Sequence, residues 1–513
     1  MRKIITAITS VMLLTCTQSW GQEYMPVSDT ARWLTTSNAA GLGILNLPSI
    51  GSTSISGSYK GGDFRRSQDS KSIVSYGGRS ESYRRLGDMR LYGDFSYTAE
   101  RHHGRAWCDN TDPYIGNPYV VGSSIPGDYA KQAFDFTVKG AGKQLADRLW
   151  LGAGASYHVS EFSRLNDPRS RAQLADYSVL PGFAIQLGRH STLGLNLDWR
   201  HRKEKMLKLV AKSETIDRFT YYDYKGLADY ATTGILFFTR RYISDWYGGQ
   251  IQFDHEGSWG GVLACAGYRI RQDSVTGEAE ESPGSYSSQE IEAGIEATLR
   301  SGRNIHCFSL GGSFIPGQAN EFLQERVTEV GEDGFVDTYW KLLMENVRYK
   351  NHTADADLGW KMFHGGADYK WFVGASVGMQ AESREYILPH SEMSWLRIVP
   401  DVQAGVRFAG HFRVEGNISY ILGIPGDLIL DQALEKNKKT VIRDNVVIPD
   451  FDHLGADALG AGLMASYHFK VKGNHFYIKA EASHIQMISP TAPSESDLPG
   501  RTSGGLSIGF ISK

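Results

Sequence analysis

The sequence predicts an all-β protein, a single antiparallel transmembrane β-barrel of about 18 strands (range about 14–18). Three observations carry that expectation. First, the chain closes on long alternating runs: Leu459, Ala461, Leu463, Ala465, Tyr467 and Phe469 are apolar at every second position, with Gly460, Gly462, Met464, Ser466 and His468 between them. Period-two alternation gives a strand one apolar and one polar face, and about ten residues of it match a tilted bilayer-spanning strand better than the usual soluble strand of about five or six. Second, short turns alternate with long polar loops along the chain. Third, beyond residue 16 no apolar run approaches the roughly 18 residues that a membrane helix requires.

Composition agrees. Of 513 residues 41% are hydrophobic and 22% charged, and the formal net charge is −3, so no basic excess exists to neutralise nucleic-acid phosphates. Glycine (57) and tyrosine (26) are plentiful, as in large antiparallel β proteins.

Residues 1–21 read as a secretory signal: Arg2 and Lys3, then apolar Ile4 to Leu14, then Ser19-Trp20-Gly21 before cleavage at Gln22. A lipoprotein signal at Cys16 is the rival, but Thr15 stands where Gly or Ala is expected. Residues 22–50 form an N-terminal lead-in, either tucked into the barrel or simply preceding it, and residues 51–513 form the barrel. The mature chain keeps Cys108, Cys265 and Cys307, too few and too scattered for a disulfide framework.

The strands come in hairpins. Ser72–Leu86 and Met89–Arg101 meet at Gly87-Asp88, and Gln132–Leu145 and Arg148–Glu161 meet at Ala146-Asp147. Further pairs join near His190, Gly257, Gly302, Gly365-Gly366 and Gly410, and the last hairpin turns at Lys472-Gly473-Asn474. Ser52–Tyr59 and Leu506–Phe510 complete the set. Between hairpins lie long loops, 102–130, 204–230, 273–287, 315–350 and 423–457, rich in polar residues, Gly and Pro. Short periplasmic turns and long extracellular loops are the outer-membrane pattern, and an even strand count puts both termini on the short-turn side. Phe408 with Phe412, Phe363 with Tyr369, Phe469 with Phe476, and Phe510 flank short turns and are expected in an interfacial aromatic girdle.

Polar positions between the apolar ones are candidate lumen charges: Asp135, Lys139, Asp198, Arg200, Glu292, Glu296, Asp355 and Asp357. Charges survive there only if water or partner charges satisfy them, so either the lumen is wet or ion pairs tie its facing walls together.

Catalytic and cofactor sites do not emerge: metal-ligand spacing, phosphate-cradling loops and a nucleophile elbow are missing from the sequence. His102-His103 with Cys108 and Asp109 could touch a metal, but adjacent residues of extended chain point apart, and a solvated loop is the plainer reading. Gly331-Glu332-Asp333-Gly334 lacks the remaining ligands of a calcium loop and reads as a turn. Two loop phrases stand out, as loop-folding devices or as a partner surface: Trp107, Asp109 and Asp112 with Pro118 and Tyr119, and Asp167-Pro168-Arg169.

The order Trp-Cys-Asp-Asn at 107–110, Asp-Pro-Tyr at 112–114, Pro-Tyr-Val-Val at 118–121 and Asp-Pro-Arg at 167–169 resembles a family of Bacteroidota outer-membrane barrels of unknown function. That resemblance implies integral residence in the bacterial outer membrane among lipid, and a setting beside TonB-dependent transporters and surface lipoproteins. It implies no activity, cofactor or catalytic residue. A more distant similarity, to fatty-acid-transporter-like barrels, rests on Asn38-Ala39-Ala40-Gly41-Leu42. The function expected is therefore non-enzymatic: a solute channel or transporter, or an integral subunit of an uptake or assembly complex. The alternatives are a barrel enzyme with a rim site and a secreted soluble β protein.

Overall fold

The computed structural model describes residues 31–512 apart from 46, 208, 213–218, 235–237, 278–280, 331–335, 366–368, 409, 437–439 and 490–497. The signal segment 1–21 and the 331–334 turn lie outside the described residues. Eighteen antiparallel strands form one sheet that closes where the first strand pairs with the last, Ile55 opposite Ile508.

The strands are β1 (Ile50–Gly62), β2 (Ser72–Leu86), β3 (Met89–Arg105), β5 (Gly127–Ala141), β6 (Leu149–Arg164), β7 (Arg171–Gln186) and β8 (Ser191–Met206). There follow β11 (Arg240–Gly257), β12 (Gly260–Thr276), β13 (Gly284–Ser301), β14 (Asn304–Val330), β15 (Val336–His364) and β16 (Trp371–Tyr386). The circuit ends with β17 (Ser391–Phe408), β18 (Phe412–Ile429), β19 (Asp457–Val471), β20 (Asn474–Ser489) and β21 (Gly500–Ser512). The three remaining strands, β4 (Val121–Ser123), β9 (Tyr221–Tyr224) and β10 (Tyr230–Thr233), make a separate small sheet in the loops.

Alternation sets which way each side chain points. Ile55 (66% exposed), Val402 (63%) and Leu463 (59%) lie on the outer surface, where water would penalise them and hydrocarbon would not. Cross-strand partners keep the faces in register: Leu463 pairs Ala482, Ile478 pairs Ile508. Every backbone donor in such a closed sheet has a ladder partner, the condition for strands to cross a bilayer. No helix among the described residues is long and apolar enough to do so.

Two expectations are corrected. The stretch 315–350 is not a polar loop: β14 and β15, 27 and 29 residues long, run through it. Pairing to β13 stops at Glu321 and to β16 at Tyr349, so beyond the rim the two strands pair only with each other. The sequence hid this because a free-standing ribbon meets water on both faces and shows no clean alternation. The second correction concerns Phe363 and Tyr369. They are buried, 5% and 2% exposed, and pack with Phe372 inside the wall rather than in a girdle. Phe363 shares the inward parity of Asp355 and Asp357. Phe408 and Phe412 do face outward, with ring centres 6.5 Å apart.

Candidate functional site

Two pieces of chain occupy the barrel ends. At the short-turn end, residues 31–45 lie inside the lumen as a helical turn, α1 (Arg32–Thr35), and a 3-10 turn (Ala39–Gly43). The buried Arg32 guanidinium donates to Asp254 at 3.0 Å and pairs with Glu256 at 3.3 Å, while Trp33 Nε1 donates to Asp254 at 3.1 Å. Asn38 caps the 3-10 turn by accepting from Ala40 N, and its amide donates to Phe183 O and Gln252 Oε1. Lys139 Nζ reaches Thr36 O at 2.6 Å. The wall gives way to admit this plug: a Cβ at Gly152 would stand 2.3 Å from Ala40 N, and one at Gly261 2.2 Å from the Arg32 guanidinium. With the packing of Leu42 and Leu45 on Ile50, Tyr83 and Tyr92, these contacts fall on β1–β3, β5–β8, β11 and β12, so the plug lines that side of the lumen and leaves a slot along β13–β17.

At the long-loop end three loops fold inward as a lid. The loop 106–126 donates β4, the loop 207–239 donates β9 and β10, and the loop 430–456 donates short helices including α2 (Gln432–Lys436) and α3 (Ile448–Gly455). Their core is aromatic: Tyr119, Tyr222, Tyr224 and Tyr230 pack with Leu434, Ile442 and Val447 from the third loop. The barrel contributes inward rings from its upper rim, Tyr242, Tyr286, Tyr349 and Tyr386. A polar knot pins the lid to the opposite wall. The Asp109 carboxylate accepts from Tyr129 and, at 2.7 Å, from Tyr221, with Arg164 3.8 Å away. Arg105 donates to Cys108 O and Asn110 O. Burial pushes the Cys108 thiol up to about 12. Asp450 of α3 accepts from Ser67 N and Oγ and from Arg66. His453 is held down at about 3 by burial and then by Arg397, Arg66 and Arg501, so it is neutral at physiological pH.

Between lid and plug the lumen holds polar cavities. The upper one, about 520 Å³, lies under the lid and is lined by Arg66, Arg200, Arg202, Arg269, Arg271 and Arg384 together with Asp112, Glu290, Asp355 and Glu382. A second of about 520 Å³ lies against β1 and β16–β21 and is lined by Asp401, Gln403, Glu415 and Glu481. A third of about 280 Å³ occupies the slot beside the plug, bounded by Arg32, Glu296, Lys361 and Gln403.

The ion pairs of the barrel run within a strand or between nearby strands of one wall. Arg200 grips Asp176 through Nε and Nη2 at 2.9 and 2.6 Å. Arg269 takes Asp198, Glu290 and Glu292 at 2.9–3.3 Å. Asp135 accepts from Ser96 and pairs with His158 at 2.6 Å. Of the two options that the sequence leaves for lumen charges, the described pairs favour a wet interior over walls laced together. Asp357 is accommodated by a glycine, since a Cβ at Gly311 would come within 2.6 Å of its Oδ1.

The singled-out loop residues divide. Asp109 and Tyr119 are buried (1% and 0% exposed), Tyr119 donating to Asn320 O at 2.6 Å, and they fold the lid. Trp107 packs on Tyr222, and Pro118 lines the lid interior. Asp112 faces the upper cavity and accepts from Tyr114 N. Asp167 pairs with Arg169 at 2.9 Å and accepts from Lys212 N, joining Asp167-Pro168-Arg169 to the second lid loop. His102 bonds Ser70 and Glu100 whereas His103 pairs with Asp128, so the two rings point apart. Sequence reading missed most of the arginine wall. Arg269 and Arg271 sit at alternating inward positions of β12, but their convergence with Arg384 of β16 is a product of barrel closure.

Structure comparison finds loose likenesses to large barrels. The FrpB iron transporter of Neisseria meningitidis aligns with TM-score 0.41 and 10% identity over 93% of this chain and 83% of that one. BauA, the ferric preacinetobactin receptor of Acinetobacter baumannii, gives 0.42 and 10% over 91% and 80%. A Pseudomonas aeruginosa FadL homologue gives 0.35 and 10% over 93% and 92%. Identities this low and superpositions this loose bear on no functional property of this chain. No curated protein matches the sequence. Residues 39–512 match the family of unknown function DUF6850, and the protein belongs to that family.

Proposed function

We propose that the protein is a non-enzymatic, integral outer-membrane barrel that takes a small polar solute into a lidded lumen and passes it toward the periplasm. The carrying observation is the row of polar cavities between an aromatic lid and a plug that fills only one side of the lumen. A bare structural barrel has no need of a wet interior at that depth. In this reading the lid gates the outer side and the slot beside the plug is the exit. Solute flux into liposomes carrying the purified protein tests it. Flux that rises when the lid is loosened supports passage; an impermeable barrel with the lid both intact and loosened refutes it.

A second reading, membership of an uptake complex with a TonB-dependent transporter or surface lipoproteins, draws on the β14–β15 ribbon. It exposes Leu323, Leu342, Leu343 and Met344 beyond the rim, the kind of apolar surface that partners cover. Extraction in mild detergent tests it: a barrel that runs alone argues against a stable complex.

A further inference from the structure

Resting on the solute reading above, we propose that the upper cavity is a binding site for a neutral, polyhydroxylated solute, an oligosaccharide, and not for an ion. The cavity has the size of a small-molecule site, about 300–1,000 Å³ in general. Its walls offer donors and acceptors side by side. Arg200 and Arg384 each hold a carboxylate, Asp176 and Glu382, through Nε and Nη2 at 2.6–2.9 Å. That side-on grip leaves Nη1 of each turned away from its carboxylate, and no hydrogen bond from either Nη1 occurs among the described residues. Arg384 and Glu382 both line the cavity, so a guanidinium fixed beside a carboxylate presents there a donor next to an acceptor, which is what two adjacent sugar hydroxyls require, since each hydroxyl gives one hydrogen bond and takes another. Gln380 adds an exposed amide with both functions, and Trp395 adds apolar surface to the lining.

Charge opposes an anionic ligand. Each of the six cavity arginines has a carboxylate within 3.4 Å: Asp450, Asp176, Glu204, Asp198, Asp273 and Glu382 in the order of their arginines along the chain. An anion entering would find its counter-charges already taken. Arg200 and Arg271 are further fixed against the Trp246 ring, their guanidinium carbons 4.5 and 5.0 Å from its centre. The wall is thus a rigid hydrogen-bonding surface whose arginines are already compensated, and Asp112 and Asp355 add acceptors for hydroxyl donors.

The full chain in detergent is titrated by calorimetry and tryptophan fluorescence with neutral trisaccharides of several stereochemistries (maltotriose, cellotriose, mannotriose, xylotriose). Trigalacturonate, deacetylated chitotriose and triglycine supply the anionic, cationic and zwitterionic counterparts. The expected result is saturable binding of at least one neutral sugar, insensitive to salt and weakened about tenfold by Arg200→Lys, which keeps the charge and loses the fork. Gln380→Ala, an exposed position that folding does not depend on, weakens it about fivefold. Binding by charged probes alone, binding that salt abolishes, or failure of every neutral sugar overturns the inference. Sugar binding without flux into liposomes retires the passage reading and leaves this one standing; flux without saturable sugar binding does the reverse.

Discussion

The two ends of the lumen are closed by different physics. The lid has an aromatic core that draws rings from strands around the barrel and from three loops, so its parts depend on one another. The plug is a short insert held by buried polar anchors and by two small apolar clusters, around Trp33 and around Leu42, with room beside it. A large shared apolar core makes a cooperative seal that opens as a unit, whereas a short insert on small, separate contacts can shift without disturbing the wall. In the proposed function the outer end is the gate and the inner end a baffle, and three perturbations test that division.

The largest effect is expected from Asp109→Ala, which strips Tyr129, Tyr221 and Arg164 of a common buried partner and loosens the lid by about 3–5 kcal/mol. Planar-bilayer conductance should rise several-fold. In a Cys265→Ala/Cys307→Ala background the Cys108 thiol, protonated and shielded in the intact lid, should become alkylatable at pH 8. Unchanged labelling would mean that the knot does not hold the lid.

Next, Asp254→Ala at the plug leaves Arg32 buried and Trp33 Nε1 without its acceptor, a loss of about 3 kcal/mol to plug docking. Because the slot exists beforehand, conductance should rise less than for the lid variant, while proteolysis of the N-terminal segment quickens. A rise equal to that of the lid variant would erase the distinction between gate and baffle.

Acid provides a smaller, graded test. His453 has a pKa of about 3 in the closed lid, below the ordinary 6.5, so the opened lid binds the extra proton. Lid stability is then full above pH 6.5 and falls as pH drops toward 3, by about 2 kcal/mol at pH 5. Conductance or loop proteolysis should increase across that window, and His453→Gln should flatten the response.

The smallest effect on the fold concerns the ribbon. Leu342→Ser with Leu343→Ser should change stability by no more than about 0.5 kcal/mol, because both side chains are already exposed. Any co-purifying partner should be lost. Marked destabilisation would show that the ribbon packs on the barrel.

The barrel was legible because alternation is a local property. Leu459 to Phe469 or Phe134 to Val138 declares its two faces with no knowledge of neighbours, and Asp198, Arg200, Glu292 and Asp355 take their inward parity from the same rule. The short turns were equally local: Ala146 and Asp147 lie at φ +48° and +55°, as a tight reversal requires. The β14–β15 ribbon escaped because solvent on both faces removes the pattern, and Phe363 and Tyr369 because an aromatic at a turn edge reads alike whether it faces lipid or lumen.

The sequence by itself thus determined a closed, lipid-facing cylinder of about 18 strands with charges directed inward, since period and turn length are written in consecutive residues. Only the tertiary structure decided what fills the cylinder. Arg32 meets Asp254 and Asp109 meets Tyr221 across 222 and 112 residues, respectively. The arginines of the upper cavity converge from separate strands. Such meetings depend on how the sheet closes and how loops fold back through it, which no local pattern records.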